Sequence, residues 1–246
     1  MSVVTTRDFD DGTTLISINR PERKNAICAD TALQLQQAFA AFDASNQRVA
    51  VITGTGDAAF SSGADVSKLP ELWRCIPTVG ITTEKPVIAA VGGWCVGGAR
   101  VLAMMCDLLV AADNAKFSYP EAKLGFTGGL IAGLAARIPH KIAMEMIMLC
   151  KVIDAKRAYE VGLVNEIVPT GQQVERALAM GREIATFSPL VLKTLKRFIV
   201  NNIMPQGPSE KMGHAMVALN AVRESEDGRE AALASREKRA PVYKGR

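Results

Sequence analysis

The sequence predicts an α/β protein, and two observations carry that reading. Strand-like and helix-like stretches alternate through the first half of the chain, which argues for a mixed fold. From Gly128 onward the pattern becomes mostly helical.

The elements follow in order. "TTLISIN" (13–19) alternates, and "VAVIT" (49–53) is continuously apolar, as a strand buried on both faces must be. Between them, "DTALQLQQAFAAFDAS" (30–45) places Ala32, Leu33, Leu35, Ala38, Phe39 and Phe42 largely on one helical face, with Asp30 positioned to cap its start. "KPVIAAVGG" (85–93) reads as a buried strand running into a glycine turn. A helix over about 98–105 and the strand "LLVAA" (108–112) come next. "DAKRAYEVG" (154–162) is a helix bounded by Asp154 and Gly162, and "LVNEIVP" (163–169) is a short strand. Three further helices fall at about 172–187, 189–200 and 209–225. The charged end, "EDGREAALASREKRAPVYKGR", reads as a solvated terminal helix and tail. The change of character near Pro189 divides the chain into a mixed core, 1–188, and a C-terminal helical region, 189–246.

Composition excludes several functions. The apolar fraction of 48% and charged fraction of 22% are those of an ordinary globular protein. A net charge of +4 suits anionic small molecules, and no dense Lys/Arg helix with interleaved aromatics points to nucleic acid. Five scattered cysteines without a C-x-x-C pair predict reduced thiols in a cytoplasm. His140 and His214 stand far apart, so no metal site is expected. The N-terminus is too polar for a signal peptide, and Arg100 and Asp107 interrupt the best candidate for a membrane span.

One motif misleads. "VAVITGTGDAA" sets G-x-G-x-x-A after a strand, as in a dinucleotide fingerprint. That fingerprint needs a helix opening at its glycines, whose free N–H groups hold the pyrophosphate. Here the chain continues "AFSSGAD", a short extended stretch and a turn, so no nucleotide cofactor is predicted.

The chemistry lies in "AFSSGADVSKL" (59–69), "KPVIAAVGGWCVGGARVLAMMCDLLVAADNAKFSYPEAKLG" (85–125) and "AKRAYEVGLVNEIVP" (155–169). With "NRPERKNAI" near the start and "REKRAPVYKGR" at the end, these segments resemble the crotonase superfamily of enoyl-CoA hydratases and isomerases. The resemblance runs through almost the whole chain. It implies a spiral of ββα units, C-terminal helices that build a homotrimer or homohexamer, and an acyl-CoA thioester as substrate. No separate cofactor is implied, since coenzyme A is part of the substrate.

By motif, the resemblance places the thioester carbonyl between the backbone N–H groups of Ala64 in "SGAD" and Gly98 in "VGGA". Enolising the thioester puts negative charge on that oxygen, and two fixed donors stabilise the charge more than the neutral carbonyl. Hydratases of the family carry two glutamates. The second corresponds to Glu121 in "SYPEAKLG", in a helical turn opened by Pro120. The first would lie three residues after Gly98, where this chain has Val101. A valine cannot hold water, whereas one carboxylate can move a proton between two carbons. Some isomerases of the family also have an apolar residue at that place. The expectation is a Δ3-to-Δ2 enoyl-CoA isomerase, with Glu121 raised in pKa by apolar walls such as Val101. The alternatives are a hydratase-like, decarboxylating or hydrolysing relative, or an acyl-CoA binder without turnover.

For the coenzyme, the resemblance implies contacts from "ERKNAI", with Arg23 and Lys24 at phosphates and Ala26 alongside. Asp65 and Val66 would line the pantetheine path, Gly129 matches a loop glycine, and Lys244 would reach a phosphate. Two features depart from the pattern. A glycine pair in the loop after Glu121 is replaced by Ile131 and Ala132, and the link from Asp65 to Pro86 is short. The acyl pocket is therefore expected to be open, small or completed by another subunit, with Trp73 and Cys75 as packing residues of the link.

Overall fold

A computed structural model describes residues 2–246. The chain runs β1 (Val4–Asp8), β2 (Thr13–Ile18), α1 (Ala29–Ala44), β3 (Val49–Gly54), β4 (Ala59–Ser61), β5 (Val87–Val91), β6 (Trp94–Val96), α2 (Gly98–Met104), β7 (Leu108–Ala112) and β8 (Lys116–Ser118). There follow α3 (Glu121–Leu124), α4 (His140–Met148), β9 (Ile153–Asp154), α5 (Ala155–Glu160), β10 (Glu166–Val168), α6 (Gln173–Ala185), α7 (Pro189–Phe198), α8 (Pro208–Glu224) and α9 (Glu226–Glu237).

Two sheets form. The larger has the order β1-β2-β3-β5-β7-β10, and the smaller β4-β6-β8-β9. Among the described residues, β1–β2 and β8–β9 are the strand pairs that run antiparallel. From β3 onward the chain alternates between sheets: β3, β5 and β7 join the larger, while β4, β6 and β8 join the smaller. Helices α2 and α3 follow the second and third of these strand pairs. This is the spiral of ββα units that the family resemblance implies, and it stacks the ends of β4, β6 and β8 side by side.

Side-chain alternation explains why the central strands are apolar throughout. In β3, Val49 and Val51 face α6, where they meet Ala177, Leu178 and Ala185. Ala50 and Ile52 face the main core with Ile16, Phe39 and Phe60. A strand covered on both faces cannot carry polar residues at either phase.

Three details differ from expectation. Helix α1 starts at Ala29 with Cys28 at its cap, and no side chain makes a capping hydrogen bond. Asp30 therefore lies inside the first turn, where its charge still suits the helix dipole. The stretch 85–93 ends as β5 at Val91; Gly93, at φ 62°, then turns the chain into the other sheet. The third is in α7, which continues into a π-helical turn at Ile199–Ile203. Asp154 does cap α5, accepting the Arg157 N–H at 2.8 Å.

The C-terminal helices reach back to the core. Lys196 of α7 donates to Asp107 at 2.7 Å and to the Lys85 carbonyl at 2.8 Å. Asn220 and Glu210 of α8 are buried. The tail folds along α9, with the Lys244 and Gly245 N–H groups donating to Asp227. All five cysteines are free thiols, and no helix among the described residues is long and apolar enough to cross a membrane.

Candidate active site

The backbone near Ala64 is fixed by a two-bond bridge. Ile27 N–H donates to the Gly63 carbonyl and Asp65 N–H donates to the Ile27 carbonyl, each at 2.8 Å. In such a parallel bridge the intervening Ala64 N–H points the other way. Gly98 opens α2, so its N–H has no carbonyl one turn earlier. Among the described residues, neither N–H donates to any acceptor.

Two glycines bring these donors and Glu121 together. Gly63 has φ +93°, and a Cβ there would stand 2.7 Å from the Val96 carbonyl oxygen and 3.6 Å from Gly98 N. Only a residue without a side chain allows that approach. Gly97 has φ +56°, and a Cβ on it would lie 3.4 Å from Glu121 Oε1. The carboxylate thus sits beside the start of α2. It is held on a one-turn helix with Pro120 at its cap and Gly125, at φ 68°, closing it.

Glu121 lines a cavity of about 330 Å³ with Tyr119, Phe126, Thr127, Ile131 and Ile147. Burial pushes its carboxyl pKa up, while the Tyr119 and Thr127 hydroxyls and the Gly128 N–H oppose that rise. Its Oε2 is buried without a hydrogen bond. The Tyr119 and Thr127 hydroxyls lie 2.9 Å apart. The raised pKa has the expected direction, but its apolar wall is different: Ile131, Ile147 and Phe126 line the cavity, whereas Val101 turns into the main core and is 2% exposed. Ile131 stands where the sequence lacks its loop glycine, so that departure contributes directly to the cavity wall.

The remaining predicted residues are more dispersed. Arg23 and Lys24 are exposed on a 3-10 turn, with Lys24 in the left-handed region at φ 49°. Ala26 is buried and its carbonyl accepts from Arg20 at 2.6 Å. Asp65 is buried and paired with Arg20 at 3.3 Å, which anchors the turn just after Ala64. Val66 is 81% exposed. Gly129, at φ +75°, leaves room for Ser209 at the start of α8. Lys244 pairs with Glu226 at 3.4 Å.

The short link is filled in a specific way. A 3-10 turn, Leu72–Cys75, lays the Leu72 side chain over Gly98, where an added Cβ would meet Leu72 Cδ2 at 2.5 Å. Cys75 is fully buried and Trp73 packs against the same core. Gly213 of α8 abuts Val79, so the chain's own C-terminal helix backs the link.

Leu72, Tyr119 and Thr127 escaped the sequence reading because no spacing marks them. Arg100 carried a signal, being the lone charge in an apolar helix. It is fully buried.

Comparisons with known proteins match almost the whole chain. The profile of the enoyl-CoA hydratase/isomerase family matches residues 8–246. The chain is 35% identical to carnitinyl-CoA dehydratase of Escherichia coli, covering 94% of each chain. It is 30% identical to (E)-benzylidenesuccinyl-CoA hydratase of Thauera aromatica, again over 94% of each. The crystal structure of enoyl-CoA hydratase from Mycobacterium tuberculosis H37Rv superposes with a TM-score of 0.76 at 31% identity, covering 100% of both chains.

Proposed function

The chain belongs to the enoyl-CoA hydratase/isomerase family, and on that premise we propose that it moves the double bond of an enoyl-CoA thioester from Δ3 to Δ2 with Glu121 as the single proton carrier. The observation that carries this reading is the pairing of one cavity-lining carboxylate, Glu121, with an apolar, core-facing residue at 101. The thioester oxygen binds the free N–H groups of Ala64 and Gly98. Glu121 removes a proton from C2, and the electron pair spreads onto the thioester oxygen as a dienolate. The same carboxyl returns the proton to C4, so the double bond moves and no other reactant is consumed.

The energetics suit that division of labour. Each oxyanion donor lowers the barrier by about 2.7–4 kcal/mol. A positioned acid–base group contributes about 10²–10⁴-fold. A carboxyl whose pKa is raised by burial takes and returns a proton more evenly than a solvated one. Arg23, Lys24 and Lys244 are assigned to the coenzyme phosphates, and Ala26, Asp65 and Val66 to its pantetheine side.

A second reading is water addition to, or elimination from, the Δ2 double bond. It is favoured by the hydroxyls of Tyr119 and Thr127 beside Glu121, which can hold a water, and by the hydratase and dehydratase names of the two relatives. Product analysis with 2-enoyl-, 3-enoyl- and malonyl-type CoA esters separates the two. Isomerisation of the 3-enoyl ester without hydration supports the first, and rapid hydration of the 2-enoyl ester replaces it with the second.

The assembly is assigned as a homotrimer or a pair of trimers. Leu190, Val191, Leu195 and Phe198 of α7 are each about half exposed or more, an apolar face that suits burial against a second copy.

A further inference from the structure

The start of α2 is flanked by the link after Asp65 and by Glu121 with its cavity. The link side is closed. Leu72 Cδ2 stands 2.5 Å from where a Cβ on Gly98 would be, so its side chain covers that glycine. Behind it, Cys75, Ile76 and Val79 are fully buried. The Ile76 carbonyl accepts from the Val79, Gly80 and Ile81 N–H groups, each at 3.1 Å, which ties the link into a tight loop. Gly80 abuts the Trp73 carbonyl, and Gly213 of α8 abuts Val79. Packed between α2 and α8, the link leaves no path for an acyl chain.

The Glu121 side is open and apolar. Phe126, Ile131 and Ile147 wall its cavity of about 330 Å³. Ile131, at 5% exposed, is more buried than Ile147, whereas Phe126 is half exposed and faces solvent. Ile131 is held in place, because the 3-10 turn that carries it, Leu130–Ala136, is backed by α8. Gly129 abuts Ser209, and a Cβ on Gly133 would meet Glu210 Oε1 at 2.5 Å and Arg137 Nη1 at 2.7 Å. Among the described residues, no Lys or Arg lines the cavity.

We propose that the acyl chain runs past Glu121 into this cavity and ends against Ile131, so that the protein selects short, uncharged acyl groups. The inference rests on the reading of Gly98 and Glu121 as the acyl-CoA site. It makes Ile131 a specificity-determining residue. In an apolar pocket one methylene changes discrimination by about 10–200-fold, so a single wall residue can set the length. A terminal carboxylate would enter beside Glu121 with no cation to pair with it, which is strongly unfavourable.

The test measures dissociation constants of hexanoyl-, decanoyl- and adipoyl-CoA for the parent, Ile131→Ala and Phe126→Ala, beside kcat/KM over a straight-chain 3-enoyl-CoA series. The parent should bind hexanoyl-CoA about tenfold or more tightly than adipoyl-CoA, and its kcat/KM should fall as the chain lengthens. Ile131→Ala should raise the ratio of decanoyl to hexanoyl affinity about tenfold. A merely structural role would weaken both esters alike and leave that ratio unmoved. Phe126→Ala should weaken decanoyl-CoA more than hexanoyl-CoA, because the longer chain covers more of the ring. Ratios unmoved in both variants, or equal affinity of the parent for hexanoyl- and adipoyl-CoA, overturn the proposal. Should Ile131→Ala not fold, Phe126→Ala and the adipoyl comparison still decide it. The saturated esters bind without reacting, which separates the two readings. Full activity in Glu121→Gln removes Glu121 as the base, whereas an unmoved length ratio beside an essential Glu121 removes only the role of Ile131.

Discussion

Gly63 concentrates the demands of the site in one residue. Its positive φ and the Val96 carbonyl 2.7 Å from a would-be Cβ leave no room for a side chain. The obstacle is backbone, so it cannot rotate away. Gly63→Ala should separate Ala64 from Gly98 and lower kcat by about 10²-fold or more, the cost of one lost oxyanion donor, measured under saturating acyl-CoA. Glu121 has a consequence for stability as well. Its carboxyl pKa is raised above the usual 4.5, so the folded protein holds this proton more tightly than the unfolded chain does. The resulting penalty is absent below the unfolded value, grows as pH rises past it, and is complete above the folded value. Glu121→Gln should therefore melt higher than the parent near pH 8, with the gain vanishing toward pH 4, as followed by calorimetry. The residues of this site were unevenly legible. Ala64, Gly98 and Glu121 lie in motifs whose spacing is local. Tyr119 and Thr127 meet Glu121 through a turn that no periodicity announces, and Val101 was assigned to the cavity wall although its side chain points into the core.

At the scale of elements, long strands and helices were readable because burial imposes a period on them. Strands β2, β3, β5 and β7 and helices α1, α6 and α8 fall within a few residues of their expected places. Strands β6, β8 and β9 of the smaller sheet are two or three residues long and too short to show a period. The link after Asp65 was recognised as short, but the way it closes depends on tertiary packing. Its 3-10 turn sets Leu72 on Gly98, where the side chain narrows the approach to the oxyanion donors. Leu72→Ala should cost about 1–2 kcal/mol of stability, because the side chain is only partly buried. It should also shift kcat/KM toward longer or branched acyl groups, read from a chain-length series.

For the whole molecule, the uneven distribution of apolar surface is informative. Val49, Val51 and Leu178 are buried within one chain, while Leu195, Phe198 and Ile203 are more than half exposed. The proposed trimer would account for that contrast. The double substitution Leu195→Asp and Phe198→Asp should shift the mass in sedimentation equilibrium from a trimer or hexamer to a monomer, since charges cannot be buried unpaired at such a face. The central claim, however, concerns one carboxylate, and it is tested most directly by the conversion of a 3-enoyl-CoA to its 2-enoyl isomer by the parent protein and by Glu121→Gln. The account predicts that the parent converts it and that the variant loses about 10²–10⁴-fold in kcat while still binding the thioester. Equal turnover by the two proteins would contradict it.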